Sequence, residues 1–189
     1  MDEQLIIQEV LRGNSSKFQL IVEKHQLMIF KTCMGFVHHH EDAEDLTQEV
    51  FLKAYQSLNL FKGDSAFGTW LYRIAINHSL TFLRKRKTKN LIQSVEDFFG
   101  INNSDTETPE SLTIEDERKK IIRDAVDSLS ENQKIAFTLS KYDDMKQSEI
   151  AEIMMISEGA VESLLQRAKN NLQKKLVQHR NKKRITRRN

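Results

Sequence analysis

The sequence predicts an all-α protein built as two small helical domains joined by a flexible acidic linker. Three observations predict it. Apolar residues recur at three- and four-residue spacing along most of the chain, while period-two alternation is scarce. Proline occurs once, at Pro109, and glycine six times in 189 residues, so few breakers interrupt the helical pattern. Residues 93–113, "QSVEDFFGINNSDTETPESLT", lose that pattern and carry acids, Asn, Ser and Thr instead. Such a segment buries too little to hold a fold of its own and reads as a linker. The expected units are therefore 1–92, a linker at 93–113, 114–178, and a basic tail at 179–189.

The elements follow in order. "LIIQEVLRG" is a first helix, with Gly13 placed to end it. Ser15 or Ser16 can cap the next helix, on which Phe18, Ile21, Val22, His25, Ile29 and Phe36 recur at helical spacing. "EDAEDLTQEVFLKAY" (41–55) is an acidic helix, "NLFKGDSAFG" a loop, and "TWLYRIAINHSLTFLRKRK" a further helix. Helices resume near Glu115 through "RKKIIRDAVDSL", restart at "SENQKIAFTLS", and finish as "QSEIAEIMM" and "EGAVESLLQRAKNNLQKKL".

Charge is distributed unevenly beneath a formal net charge of +2. Residues 1–90 sum to +2, residues 91–117 to −8 and residues 118–189 to +8. Basic clusters stand at 84–89, "RKRKTK", and in the C-terminal "HRNKKRITRRN". Cys33 is the single cysteine, which excludes an internal disulfide. No apolar run approaches the length of a membrane span, and the N-terminus lacks the character of a signal peptide. The expected compartment is the cytoplasm, with no direct membrane insertion.

The stretch Gln147–Gln166 fits a helix-turn-helix register. Ala151 falls where the two helices cross, and Ile150, Met154, Ile156, Val161 and Leu164 fall at buried positions. Ser157 can cap the second helix. Glu162, Ser163, Gln166, Arg167 and Lys169 face outward, where such residues reach base edges and phosphates if the helix enters a major groove. A structural helical hairpin with a wet outer face fits the same spacing. Met155 holds the turn position where glycine is usual; a left-handed backbone there is strained for a side-chain-bearing residue, which leaves open a turn of another shape.

Two faces of the N-terminal half invite partners. Around 41–58, Ala43, Leu46, Val50, Phe51, Ala54 and Leu58 gather on one side, and Glu41, Asp42, Asp45, Gln48, Glu49 and Leu52 on the other. A large apolar side chain amid acids suits a partner with basic residues around a hydrophobic socket, although one exposed leucine on a solvated face is ordinary. On the later helix, Phe67, Leu71, Ile74, Ala75, His78 and Phe82 point inward, and Trp70, Arg73, Asn77 and Arg84 line a polar side. With Phe61 and Lys62 before them, these cations, an amide and rings match how single-stranded nucleic acid and flipped bases are held. Core packing explains Trp70 equally well. "HHHED" at 38–42 raises a metal site, but adjacent histidines point apart on a helix and no paired-ligand motif appears; the expectation is no metal.

Together these stretches resemble the extracytoplasmic-function (ECF) group of the sigma-70 family, the subunits that direct bacterial RNA polymerase to promoters. "DAEDLTQEVFLKAY" is similar to the family's core-binding region 2.2, "FKGDSAFGTWLYRIAINH" to its promoter-melting regions 2.3 and 2.4, and "LSENQKIAFTLSKYDDMKQSEIAEIMMISEGAVESLLQRAKNNL" to region 4. The resemblance implies that 1–92 is region 2 and 114–178 region 4. It implies that Asp45, Gln48, Glu49 and Leu52 dock on the β′ clamp helices of core RNA polymerase, which the chain also meets at the β subunit. It further implies that Asn59, Phe61, Lys62, Trp70, Arg73, Asn77 and Arg84 hold the minus-ten element, and that Ser157, Glu162, Ser163, Gln166, Arg167 and Lys169 read the minus-35 element of promoter DNA. Glu162 and Leu164 stand where the family often has basic residues, and Gln166 where it often has an aromatic, so family base preferences do not transfer. The resemblance also implies an anti-sigma partner, nucleoid association in holoenzyme, no cofactor and no bond-making chemistry. The rivals are a stand-alone helix-turn-helix regulator, which leaves the acidic face unexplained, and a metal-dependent hydrolase using His38–His40 with Glu41 or Asp42.

Overall fold

The computed structural model describes residues 2–98 and 114–186. Every regular element among them is helical. In chain order they are α1 (Glu3–Leu11), α2 (Phe18–Val37), α3 (His40–Gln56), α4 (Phe67–Phe98), α5 (Ile114–Asp127), α6 (Glu131–Lys141), α7 (Gln147–Met154) and α8 (Glu158–Thr186), with short 3₁₀ turns at Ser15–Lys17 and Leu58–Leu60. The all-α expectation holds. The linker expectation falls mostly on residues 99–113, outside the described residues, while α4 runs to Phe98 and so continues past residue 92.

Local chemistry explains most boundaries. Asp2 caps α1 by accepting the Gln4 N–H, and Gly13 turns the chain at φ +104. Neither Ser15 nor Ser16 caps α2. Ser15–Lys17 instead wind a 3₁₀ turn directly into it, and the Ser16 hydroxyl donates to Asn14 Oδ1 at 2.8 Å. His38 ends α2 in the left-handed region at φ 55. His39 then starts α3, its Nδ1 accepting the Asp42 N–H, so the histidine run is a helix junction. Among the described residues no three His, Cys, Asp or Glu side chains gather as metal ligands.

The N-terminal domain packs α2, α3 and α4 around Ile21, Ile29, Phe36, Leu46, Val50 and Leu71, all fully buried. Cys33 lies in that core, where burial pushes its thiol up to about 11. In the C-terminal domain Leu139, Ile150 and Val161 are equally buried. These two sets belong to one continuous apolar cluster. The domains read from the sequence as tethered are therefore packed on each other.

One close approach is at Gly35 on α2. A Cβ built there would lie 2.7 Å from Cγ2 of Thr138 on α6 and 2.9 Å from Cγ of Tyr142, which caps that helix. Its three nearest neighbours all come from the other domain, so only glycine lets α6 sit this close. Beside it, Thr32 Oγ1 stands 3.1 Å from Asp143 Oδ2, just beyond α6. Replacing Gly35 with leucine inserts a whole side chain where a methyl already overlaps, and overpacking of this kind costs ~1–3 kcal/mol. The wedge acts between domains, so the expected outcome is a larger radius of gyration in small-angle scattering with unchanged far-UV circular dichroism. An unchanged radius would show that this close packing does not persist in solution.

Candidate protein- and nucleic-acid-binding surfaces

The acidic face of α3 forms as its spacing predicts. Ala43, Leu46, Val50, Phe51 and Ala54 are buried, and Asp45, Gln48, Glu49 and Leu52 are exposed, Leu52 by 58%. Among the described residues, Asp45 and Gln48 have no side-chain partner and Glu49 meets only His78, at 3.6 Å. Asp42 differs: it pairs with Arg86 at 3.2 Å and is drawn to the side. What remains is negative charge around one large apolar side chain, with little inside the molecule to satisfy it.

The stretch after α3 builds an aromatic knot. Phe61 meets Phe67 edge-on at 5.1 Å, and Trp70 closes the group at 5.5 Å from Phe61 and 5.3 Å from Phe67. Phe67 is buried, while Phe61 and Trp70 are half-buried. Trp70 thus packs against the core while remaining partly exposed. Asn59 and Lys62 flank the knot in solvent. Asn77 is exposed, and its side-chain amide makes no hydrogen bond among the described residues.

Arg73 and Arg84, on the same stripe of α4, are engaged across the domain boundary. Arg73 donates through Nε to the Ile153 carbonyl at 3.1 Å and through Nη2 to the Glu152 carbonyl at 2.9 Å. Those carbonyls lie in the last turn of α7, where the helix dipole is negative, so a guanidinium is well matched there. Thr69 donates to Glu152 Oε1 nearby. Arg84 makes a two-pronged pair with Glu131, 2.8 and 2.9 Å. That pair raises the arginine pKa and lowers the carboxylate's, although both groups are solvent-exposed.

The helix-turn-helix comprises α7, the turn at Met155 and α8. Ala151 and Val161 are buried at the crossing, and Ser157 Oγ accepts the Ala160 N–H at 3.2 Å. Met155 adopts the left-handed backbone after all, φ 57 and ψ 42, and is 77% exposed. The strain of a Cβ there, ~1–2 kcal/mol, is offset by the turn it makes, in which the Ile156 N–H returns to the Ala151 carbonyl at 3.1 Å. Glu162, Ser163, Gln166, Arg167 and Lys169 are all exposed on α8, with Gln166 donating to Asn170.

Two family models match the chain: "Sigma-70 region 2" over residues 21–89 and "Sigma-70, region 4" over 119–172. The RNA polymerase sigma-H factor of Pseudomonas aeruginosa is 36% identical over 180 residues, covering 92% of this chain and 93% of that one. The chain belongs to the ECF group of the sigma-70 family. The ECF RNA polymerase sigma-E factor of Escherichia coli K12 is 32% identical over 182 residues, covering 93% of this chain and 95% of its own. Among solved structures, the fold is shared with CnrH in complex with the cytosolic domain of CnrY (TM-score 0.64, 22% identity, 92% of this chain and 96% of that one). It is shared also with the sigma factor RpoE of Bartonella quintana in complex with the anti-sigma factor NepR (TM-score 0.56, 24% identity, 84% and 96%). As a sigma factor the chain binds core RNA polymerase and promoter DNA and acts in transcription initiation.

In this sigma factor the contacts between regions 2 and 4 are the part that sequence reasoning missed. Gly35, Thr32 and Thr138 on helix faces, and Asp143 just beyond α6, each have a partner more than 100 residues away. The only signals were a glycine inside an otherwise apolar helix and a threonine on its buried face. Asp143 carries a further consequence. Burial pushes its carboxyl up to about 6 from 3.8; the Thr32 bond and Lys31 oppose that shift and Asp144 adds to it. The raised value means closure favours the protonated acid. Its support for closure is full below the open-state value and is lost as pH rises through about 6. His38, whose pKa burial lowers, contributes with the opposite sign. The expected result is that Asp143→Asn remains closed where the wild type loosens, with the gap in scattering radius widening between pH 4 and pH 6. Parallel curves would remove Asp143 from the contact.

Proposed function

We propose that this sigma factor divides its partners by surface charge: the acidic face of α3 for the polymerase, the outer faces of α4 and α8 for DNA. The observation that carries this is the α3 face itself, where Asp45 and Gln48 have no partner among the described residues and Leu52 stands in the open. The β′ clamp helices are the partner proposed for Asp45, Gln48, Glu49 and Leu52, with the β subunit completing the core contact. Phe61, Trp70 and the loop with Asn59 and Lys62 receive a minus-ten base turned out of the duplex, and Asn77 offers its free amide to that base. Ser157, Glu162, Ser163, Gln166, Arg167 and Lys169 lie at the minus-35 element. Arg73 and Arg84 join the minus-ten contacts only after regions 2 and 4 separate, since both are engaged across the boundary. Units of 1–92, 93–113 and 114–178 serve as region 2, linker and region 4, with 179–189 a basic tail.

Catalysis belongs to the polymerase, and the chain makes or breaks no bond. Its working compartment is the cytoplasm, at the nucleoid when in holoenzyme; no helix among the described residues is long and apolar enough to cross a membrane. An anti-sigma factor is proposed as a further partner, because a sigma factor of this fold is solved with one bound.

The test is transcription from a genomic promoter library by core polymerase plus this chain; failure to start any transcript would overturn the proposal. Asp45→Lys with Glu49→Lys places like charges against a basic socket, which costs several kcal/mol, so core co-purification should fall by about 100-fold or more with the helical signal intact. Unaltered co-purification would refute the docking face. Asn77→Ala removes base-edge hydrogen bonds worth ~1–3 kcal/mol. It should slow promoter opening, read by permanganate reactivity, while closed-complex affinity holds. Equal loss in both steps would take Asn77 out of the pocket.

A further inference from the structure

The packing of the two regions creates a cleft that neither has alone. It measures about 880 Å³, within the size range of small-molecule sites. One wall is α4, with Arg84, Arg86 and Lys87; the other is α5, with Lys119, Lys120 and Arg123. Its floor is apolar, from Val37, Leu80, Leu83 and Leu129. The Arg84–Glu131 pair ties α4 to the start of α6 at the edge of the cleft.

The charge in this cleft does not balance. Among the described residues, seven cationic side chains line it, the seventh being Lys134, against the acids Asp124, Asp127 and Glu131. Glu131 is taken by Arg84 and Asp127 by the buried Lys134, at 2.8 Å. Arg86 turns outward to Asp42. Lys87, Lys120 and Arg123 have no ion-pair or hydrogen-bond partner among the described residues. Lys120 and Arg123 are three apart on α5 and so share a face, and Lys87 stands on the wall opposite. Closing the two regions therefore sets like charges on facing walls of one cleft. An anion with several charges would reverse that repulsion, and it would do so only in the closed arrangement.

We propose that the cleft between α4 and α5 is a binding site for a small polyphosphate anion, inorganic or nucleoside-borne, that holds regions 2 and 4 together. Phosphate is the matching chemistry because the Arg123 guanidinium and the Lys120 ammonium line one wall and the Lys87 ammonium the other. The apolar floor gives a nucleobase somewhere to lie. Because Arg84 is part of the cleft, an occupied site keeps that residue from DNA. Binding to one of two arrangements shifts the population toward it, so the anion acts against promoter engagement without any contact at the minus-35 face. Binding itself requires no polymerase, so its failure is separable from failure of the sigma reading.

The test uses the full chain at 0.15 M salt, titrated by calorimetry with sodium tripolyphosphate, with adenosine triphosphate, and with a single-stranded oligonucleotide, and followed in parallel by small-angle scattering. Saturable submillimolar binding of either polyphosphate, with no increase in radius, is expected. Tighter binding of the nucleotide identifies the nucleoside-borne form; equal or tighter binding of tripolyphosphate identifies the inorganic one. Lys120→Glu with Arg123→Glu should weaken it at least about 10-fold, and Lys87→Glu alone should weaken it too, since the walls act together. Both variants alter exposed residues, and circular dichroism checks their fold. The proposal is overturned if sodium chloride at matched ionic strength reproduces the effect, or if Lys87→Glu binds like the wild type. It is overturned also if the oligonucleotide alone binds, or if the bound chain expands.

Discussion

The absence of a side chain at one position governs the architecture. Gly35 lets α6 lie against α2 at a separation no Cβ would allow, with Thr138 and Tyr142 filling the space directly above it. From that approach the rest follows. Thr32 comes within reach of Asp143, the buried sets of regions 2 and 4 merge into one cluster, and α7 presents its C-terminal carbonyls to Arg73. Such a crossing is unusual for two units expected to work apart on DNA, because interfaces between independent domains are generally small and polar. Here the interface has a packed apolar centre with polar fastenings at its edges.

The fastenings reuse the groups proposed for DNA. Arg73 in the closed form satisfies carbonyl oxygens at a helix end, and Arg84 satisfies a carboxylate. Both acceptors imitate what a phosphate backbone offers: oxygen atoms bearing partial or full negative charge. A guanidinium accepts either with little change of geometry, so exchanging one acceptor for the other costs far less than exposing an unpaired cation to an apolar surface. By contrast Asp45, Gln48 and Leu52 on α3 take no part in the closure, so the polymerase-type surface stays available while the DNA-type surface is engaged.

Much of this was legible in the residue order. Helical spacing placed the inward faces of α2, α3 and α4, because burial of an apolar stripe is a local property of a helix. The capping role of Ser157 and the small Ala151 at the crossing were legible for the same reason. What escaped was non-local. Nothing near Gly35 indicates which helix will lie on it, and nothing near Asp143 indicates that a threonine on α2 will bury it. At Ser15 and Ser16 the chain took a 3₁₀ turn in place of a side-chain cap. At Met155 the preference against a left-handed backbone was outweighed by the geometry the two helices demand. In both places the tertiary arrangement outweighed a small local preference.

The lone thiol has a practical side. Cys33 is sealed within region 2, and burial holds its proton well above neutrality. A thiol in that state neither attacks maleimides nor couples to a neighbouring chain under oxidising conditions. A cysteine introduced at any exposed position would therefore be the sole reactive sulfur, so site-selective fluorophore attachment on this subunit needs no prior removal of the native residue.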